Sequence, residues 1–337
     1  MSSDLDAAAP QSRGAFLQTT VGASLVGAAA ALGPGPQRAD AIGELYEFKD
    51  QARFAQHAVV NVPDMDEALR FYIDGLGMQV LRTRADASTN TTFVGFGPEA
   101  LRVPPKFRPG VSSFNGYGGH FALELVAPKK GAGGAAEEEE VFFDPGNGLQ
   151  YIQIAVENYR ITKMVQSGGK VLSGYGFVEV VAPGGLKLVA MSGQRRDPFM
   201  FVALKVKDME RSIRWYRDIL GMKECPYPQA SVRTPGSPFE PPKPPGAVFM
   251  AYDEEAAGVL LTPAARGEAI TVGGVYGKLA VLAEGVEEAG RDPGFGAAFV
   301  GEAPGIGTRV AVTADPDGYS AVLVEYADFD KELPPLV

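Results

Sequence analysis

Two stretches of the 337-residue chain are copies of one another. VPDMDEALRFYIDGLGM begins at Val62 and VKDMERSIRWYRDILGM at Val206, an offset of 144, with nine of seventeen positions identical. Asp64/Asp208, Arg70/Arg214, Tyr72/Tyr216 and the Leu-Gly-Met ends at 76–78 and 220–222 are among them. A duplication constrains the fold more than any composition figure, because both copies must build the same local unit. Length agrees, since ~150 residues per domain gives about two domains.

Each copy reads as strand, helix, strand. Ala58–Val62 and Val202–Val206 are short runs rich in β-branched residues. Asp64 and Asp208 then stand as helix N-caps, with Glu67 completing a capping-box pattern in the first copy. Met65, Leu69, Phe71 and Tyr72 follow at helical spacing, and Gly75, Gly77 and Gly221 stop the helices. Met78–Thr83 returns as a strand. A second kind of unit follows each copy. Tyr151–Val156 is a strand, Tyr159–Gln166 a helix, and Phe177–Val181 and Leu186–Met191 a strand pair turned at Ala182-Pro183-Gly184-Gly185. Its counterpart is Lys278–Leu282, a helical stretch at Val286–Ala289, then Arg309–Thr313 and Tyr319–Glu325. The turn there is Asp315-Pro316-Asp317-Gly318. The expectation is an α+β fold of four modules in two halves. Residues 53–193 hold modules 53–127 and 149–193, and residues 198–330 hold modules 198–263 and 275–330. Pro128–Glu140 reads as a solvated loop, Gln194–Pro198 as the link between halves, and Pro235–Pro245 as a stiff loop.

Composition removes several functions. One cysteine, Cys225, allows no internal disulfide framework and no cysteine-rich metal site. Two histidines, His57 and His120, leave few candidates for imidazole chemistry. A net charge of −10 argues against a nucleic-acid partner, which needs a dense basic surface. Residues 1–41 differ from the rest. An Ala/Gly-rich run, Ala15–Leu32, is preceded by Ser12-Arg13-Gly14-Ala15-Phe16-Leu17 and followed by Ala39-Asp40-Ala41, an A-x-A cleavage pattern. The segment is too polar for a membrane anchor, so an integral membrane protein is not expected. It reads as an export signal cleaved after Ala41, of the kind that directs a plastid protein to the thylakoid lumen, with another exported compartment or the cytoplasm as the alternative.

HAVVNVPDMDEALRFYIDGLGMQVLRTR from His57 and GHFALELVAP from Gly119 match FVALKVKDMERSIRWYRDILGM and TRVAVTADPDGYSAVLVEYADF in the second half. Together they resemble glyoxalase I, the lactoylglutathione lyase of the vicinal oxygen chelate superfamily, in its long two-domain plant form. The resemblance spans roughly residues 53 to 330. It implies paired βαβββ modules around a metal site, with one divalent metal, Zn²⁺ or Ni²⁺, and glutathione as co-substrate. The family's reaction isomerises the hemithioacetal of glutathione and methylglyoxal. The metal stabilises an enediolate and a glutamate moves the proton.

Carried over residue by residue, the resemblance makes His57 the first-strand metal ligand and Glu124 the second ligand and catalytic proton shuttle. The other six ligand positions fall on Tyr151, Val189, Phe201, Leu260, Tyr276 and Val322. Two good ligands remain, whereas zinc sites use three or four. His120, four residues before Glu124 on the same strand face, could supply a third. Asn61 and Lys205 stand where the family binds its glutathione substrate. Two functions follow as expectations. One is a glyoxalase I-like lyase with a degraded metal site. The other is a non-catalytic glyoxalase fold that binds a small molecule or docks on a membrane protein complex.

Overall fold

The computed structural model describes residues 53–86, 88–99, 120–129, 142–156, 158–193, 195, 197–229 and 240–333. The export segment of residues 1–41, and most of the loop read at Pro128–Glu140, lie outside the described residues. The first module runs β1 (Phe54–Asn61), α1 (Met65–Leu69), β2 (Gln79–Ala85), β3 (Thr89–Gly95) and β4 (Ala122–Pro128). The second is β5 (Leu149–Val156), α2 (Asn158–Gln166), β6 (Lys170–Tyr175), β7 (Phe177–Val181) and β8 (Lys187–Ser192). The third is β9 (Phe199–Val206), α3 (Met209–Asp218), β10 (Lys223–Cys225), β11 (Val248–Ala251) and β12 (Gly258–Pro263). The fourth is β13 (Tyr276–Ala283), α4 (Val286–Arg291), β14 (Phe299–Glu302), β15 (Arg309–Ala314) and β16 (Ser320–Glu325), followed by α5 (Tyr326–Glu332). This is the α+β architecture the repeat implied. No described helix is long and apolar enough to cross a membrane.

The caps explain where the duplicated helices begin. The Asp64 carboxylate accepts from the backbone N–H groups of Asp66 and Glu67 at 2.8 and 3.0 Å, and that of Asp208 from Arg211 N–H at 3.0 Å. After α1 the chain widens into a π-helical turn, Arg70–Gly75, which the second copy lacks. Gly75 accounts for the close packing there, since a Cβ on it would lie 3.2 Å from the Met164 Cα of α2. The corresponding residue in the second copy is Ile219.

The sheets do not follow the halves of the chain. One eight-stranded sheet has the order β14-β15-β16-β13-β1-β4-β3-β2 and so joins the first module to the last. We call it the terminal sheet. The other, the middle sheet, has the order β10-β11-β12-β9-β5-β8-β7-β6 and joins the second and third modules. In each, the two first strands meet antiparallel at the centre (β1 with β13, β5 with β9), and every first strand lies parallel to its own module's last strand.

One core cluster draws on both sheets and on the helices, through Ala58, Val60, Ile154, Val202, Phe71, Met164 and Tyr216. Because side chains alternate along a strand, the residues between these turn to the far face. Smaller clusters occupy the two far faces: Phe54, Ala280, Val312, Val322 and Phe329 on the terminal sheet, and Met191, Met200, Phe201, Phe249 and Leu260 on the middle sheet.

Candidate functional site

The far face of the terminal sheet carries a row of side chains fixed by strand register. Lys278 pairs with Val59, Val59 with Glu124, Glu124 with Phe93, and Phe93 with Arg82. One step along, Val322 pairs with Ala280, Ala280 with His57, and His57 with Ala122. Paired residues share a face, so His57, Glu124, Lys278 and Val322 look the same way.

His57 and Glu124 meet directly, with Nε2 2.9 Å from the carboxylate Oε2. His57 is buried and Glu124 is largely covered, at 6% and 13% side-chain exposure. The Gln56 amide N–H donates to Glu99 Oε1 at 3.1 Å, which leaves the Gln56 oxygen facing His57 Nδ1. Nδ1 therefore carries hydrogen, and a neutral ring would set the Nε2 lone pair against the carboxylate. The contact requires a proton held between the two groups. Burial pulls the imidazole down while Glu124 pulls it up. Burial pushes Glu124 up, but the His57 hydrogen bond and the charges of His57, Lys278 and Arg84 outweigh it and hold the carboxyl at about 2. The geometry decides for one shared proton, with negative charge kept on Glu124 by the cations around it. The Phe93 ring stands edge-on to His57 at 5.2 Å and under the Arg82 guanidinium at 3.5 Å.

Register corrects one ligand position. Spacing in the sequence pointed to Tyr276, yet a bulge between Val59 and Val60 carries their partners from Lys278 to Tyr276. That shift turns the tyrosine into the central core, where its ring meets Tyr319 at 6.3 Å. Aligning the α4 N-cap Gly285 with Asp64 likewise brings His57 onto Lys278. The position facing His57 across the sheet's approximate two-fold is thus an ammonium. Val322 pairs with Ala280 on the same face. A divalent metal does not fit this set. Lys278 offers a charged donor and no lone pair, Val322 offers nothing, and the His57 ring nitrogens face Gln56 and Glu124.

The expected third ligand does not arrive either. His120 precedes β4 and lies against Gly97, facing Asp197 electrostatically. The strand begins only at Ala122, so the alternation counted from Glu124 does not extend to it. Among the described residues no group of three His, Cys, Asp or Glu gathers to hold a metal.

On the middle sheet the corresponding positions are Tyr151, Val189, Phe201 and Leu260. They pack as an aromatic and aliphatic surface. Phe201 contacts Tyr151, Tyr227 and Phe249 at 5.7–6.0 Å between ring centroids. Burial pushes the Tyr151 phenol above its ordinary value, which disfavours phenolate.

Asn61 and Lys205 lie on different sheets. The Asn61 amide donates to Gly274 O at 2.7 Å, and Lys205 pairs with Glu268 at 2.5 Å. The structure brings in residues the sequence reading did not select. Arg82 donates through Nε to Glu99 at 2.9 Å and through Nη1 to Glu332 at 2.6 Å, and Arg84 donates to the same Glu332 oxygen at 2.7 Å. Arg82 and Arg84 alternate on β2 as an edge strand's charges usually do, which gave no signal of burial.

A family model described as the Glyoxalase/Bleomycin resistance protein/Dioxygenase superfamily matches residues 55–176. A lactoylglutathione lyase of Arabidopsis thaliana is 30% identical over 308 residues, covering 85% of this chain and 95% of the relative. One of Oryza sativa is 29% identical, covering 85% and 93%. The crystal structure of glyoxalase I from Zea mays superposes with a TM-score of 0.65 at 24% identity, over 84% of this chain and 95% of that one.

Proposed function

The chain belongs to the glyoxalase superfamily, among its two-domain glyoxalase I proteins, and from that premise we propose that fixed side-chain charge has taken the metal's place. On this reading the protein binds a small anionic molecule on the far face of the terminal sheet, without metal-dependent lyase chemistry. His57, Glu124 and Lys278 form the charged floor of that face. One observation carries the proposal: Lys278 stands in register with Val59 and Glu124 at a ligand position. A buried carboxylate needs a nearby cation, and here an ammonium and a guanidinium supply it. The test is bound Zn, Ni and Fe on purified protein, with lactoylglutathione formation from methylglyoxal and glutathione. The expected result is substoichiometric metal and no turnover with or without added metal. Stoichiometric metal, with turnover lost in Glu124→Gln, overturns it.

A second reading is the lyase itself. The retained His57–Glu124 pair favours it, as does similarity to proteins named lactoylglutathione lyase along 85% of the chain. Glu124 would then move the substrate proton, with His57 sharing it. The same assay decides between the two. We extend the proposal to location: cleavage after Ala41 and residence in the thylakoid lumen, where a non-catalytic fold could dock on a membrane protein complex. Fractionation of plastids carrying a C-terminally tagged chain checks this, and tag found only in the cytosol or stroma removes it.

A further inference from the structure

The C-terminal helix α5 lies over the charged face just described. Phe329 is 1% exposed and packs with Phe54, Ala280, Val312 and Val322 of the terminal sheet. Its ring stands 5.0 Å from the Arg82 guanidinium, on whose other contact, at 3.5 Å, lies Phe93. Three residues on, the Glu332 carboxylate takes three donors. Arg82 Nη1 and Arg84 Nη2 reach one oxygen at 2.6 and 2.7 Å, and the Thr308 hydroxyl reaches the other.

Two arginines and a hydroxyl converging on one carboxylate make a binding site for carboxylates in general. Arg82 is held ready for that task. Glu99 fixes its Nε from behind, Phe93 supports its plane, and its side chain is 6% exposed. Its Nη2 is buried with no hydrogen-bond partner among the described residues, a donor left over for a ligand larger than Glu332. The group that fills the site arrives on α5, a helix of seven residues.

We propose that Arg82 and Arg84 form a binding site for a small carboxylate-bearing ligand, and that Glu332 fills it as an internal ligand. The external carboxylate binds as α5 lifts and releases Glu332. This rests on the reading that the terminal sheet's far face is the ligand face.

The probe is succinate, titrated calorimetrically into the full chain at constant ionic strength. Glu332→Gln keeps the side chain's shape and removes its charge. It is expected to bind succinate at least tenfold more tightly than the parent. Adding Arg84→Gln should return affinity to the parent's level. Thr308→Val weakens the hold on Glu332 without touching either arginine, and should raise affinity by a smaller factor. In the parent, saturating succinate should speed amide exchange across residues 326–332 about fivefold. Equal affinity in the parent, Glu332→Gln and Thr308→Val overturns the proposal, as does a gain that survives Arg84→Gln. The ligand-face reading is tested apart from this by Glu124→Gln in the Glu332→Gln background. An unchanged gain there leaves the Glu332 latch standing and removes the charged floor from the binding site.

Discussion

Where the terminal sheet carries Glu124 the middle sheet carries Leu260, and where it carries His57 the middle sheet carries Phe201. Lys278 answers to Tyr151, and Val322 to Val189. The backbone at these positions is the same four-strand pairing, so the difference lies in side chains alone. The middle sheet is apolar at these positions, which leaves no buried charge to compensate. The terminal sheet carries one imidazole and one carboxylate there, and a buried carboxylate without a partner costs several kcal/mol. Lys278, Arg84 and the shared proton with His57 are what make it tolerable. Charge balance at Glu124 thus explains why a lysine, rather than another tyrosine, stands on β13.

The largest expected effect comes from giving that face a full set of metal donors. Lys278→His with Val322→Glu places four N and O donors on one face, with His57 and Glu124. Zinc affinity by calorimetry should rise at least ~10³-fold over the parent, because structural and catalytic sites need three or four such ligands. The matching pair on the middle sheet, Tyr151→His with Val189→Glu, faces Phe201 and Leu260 and should bind no metal tightly. Equal behaviour of the two doubles would break the register argument for Lys278.

Next in size is removal of the carboxylate. Glu124→Leu leaves His57 and Lys278 without their counter-charge and should cost about 3–5 kcal/mol in denaturant unfolding. Adding Lys278→Met should recover a large part of this, since the pair is then gone rather than broken. The converse substitution on the other sheet, Leu260→Glu, buries a charge with no cation in register and should destabilise comparably, with no rescue from a cation elsewhere.

Much of this organisation was legible from local signals. The capped helices and Leu-Gly-Met stops repeat in the sequence because each is set by a few neighbouring residues, and Asp64 and Asp208 cap as their spacing implied. Strand alternation put His120 on the face of Glu124, and this fails because β4 begins only at Ala122. Alternation could not say which strands become neighbours, so the joining of first and last modules had no signature in either half. Tyr276 was mistaken for a ligand position because a bulge moves every later side chain to the other face, and a bulge has no residue signature here. Arg82 and Glu332 were missed for a different reason. They lie 250 residues apart, and only the assembled sheet shows that one neutralises the other.

A pH titration sharpens the contrast with a smaller effect. Glu124 has a folded-state pKa of about 2, below its ordinary 4.5. A depressed carboxyl contributes stability that is present above the unfolded value and lost as pH falls through the folded one. The loss between about pH 4.5 and pH 2 should be roughly 3 kcal/mol at most, at 1.36 kcal/mol per pKa unit. Glu124→Gln should flatten that part of the acid limb of the stability profile. Leu260→Ala on the middle sheet removes no titrating group, so it should shift the whole profile down without changing its slope. Parallel profiles for the parent and Glu124→Gln would mean that the carboxyl is not held ionised by its neighbours.

The smallest effect concerns the duplicated helices. Asp64 accepts two backbone N–H groups and Asp208 one, while α1 is five residues long and α3 ten. Loss of a cap costs ~1 kcal/mol in typical hosts and up to about 2. Asp64→Ala should fall toward the upper end and Asp208→Ala toward the lower, read as shifts in denaturant midpoint at unchanged slope. The direction follows from the number of donors left bare. It is reinforced by what comes next in the chain, because α1 gives way to a π turn and has fewer bonds of its own to hold its first residues in place. Equal costs would indicate that the π turn is stabilised by its packing at Gly75 against α2, independently of how the helix begins.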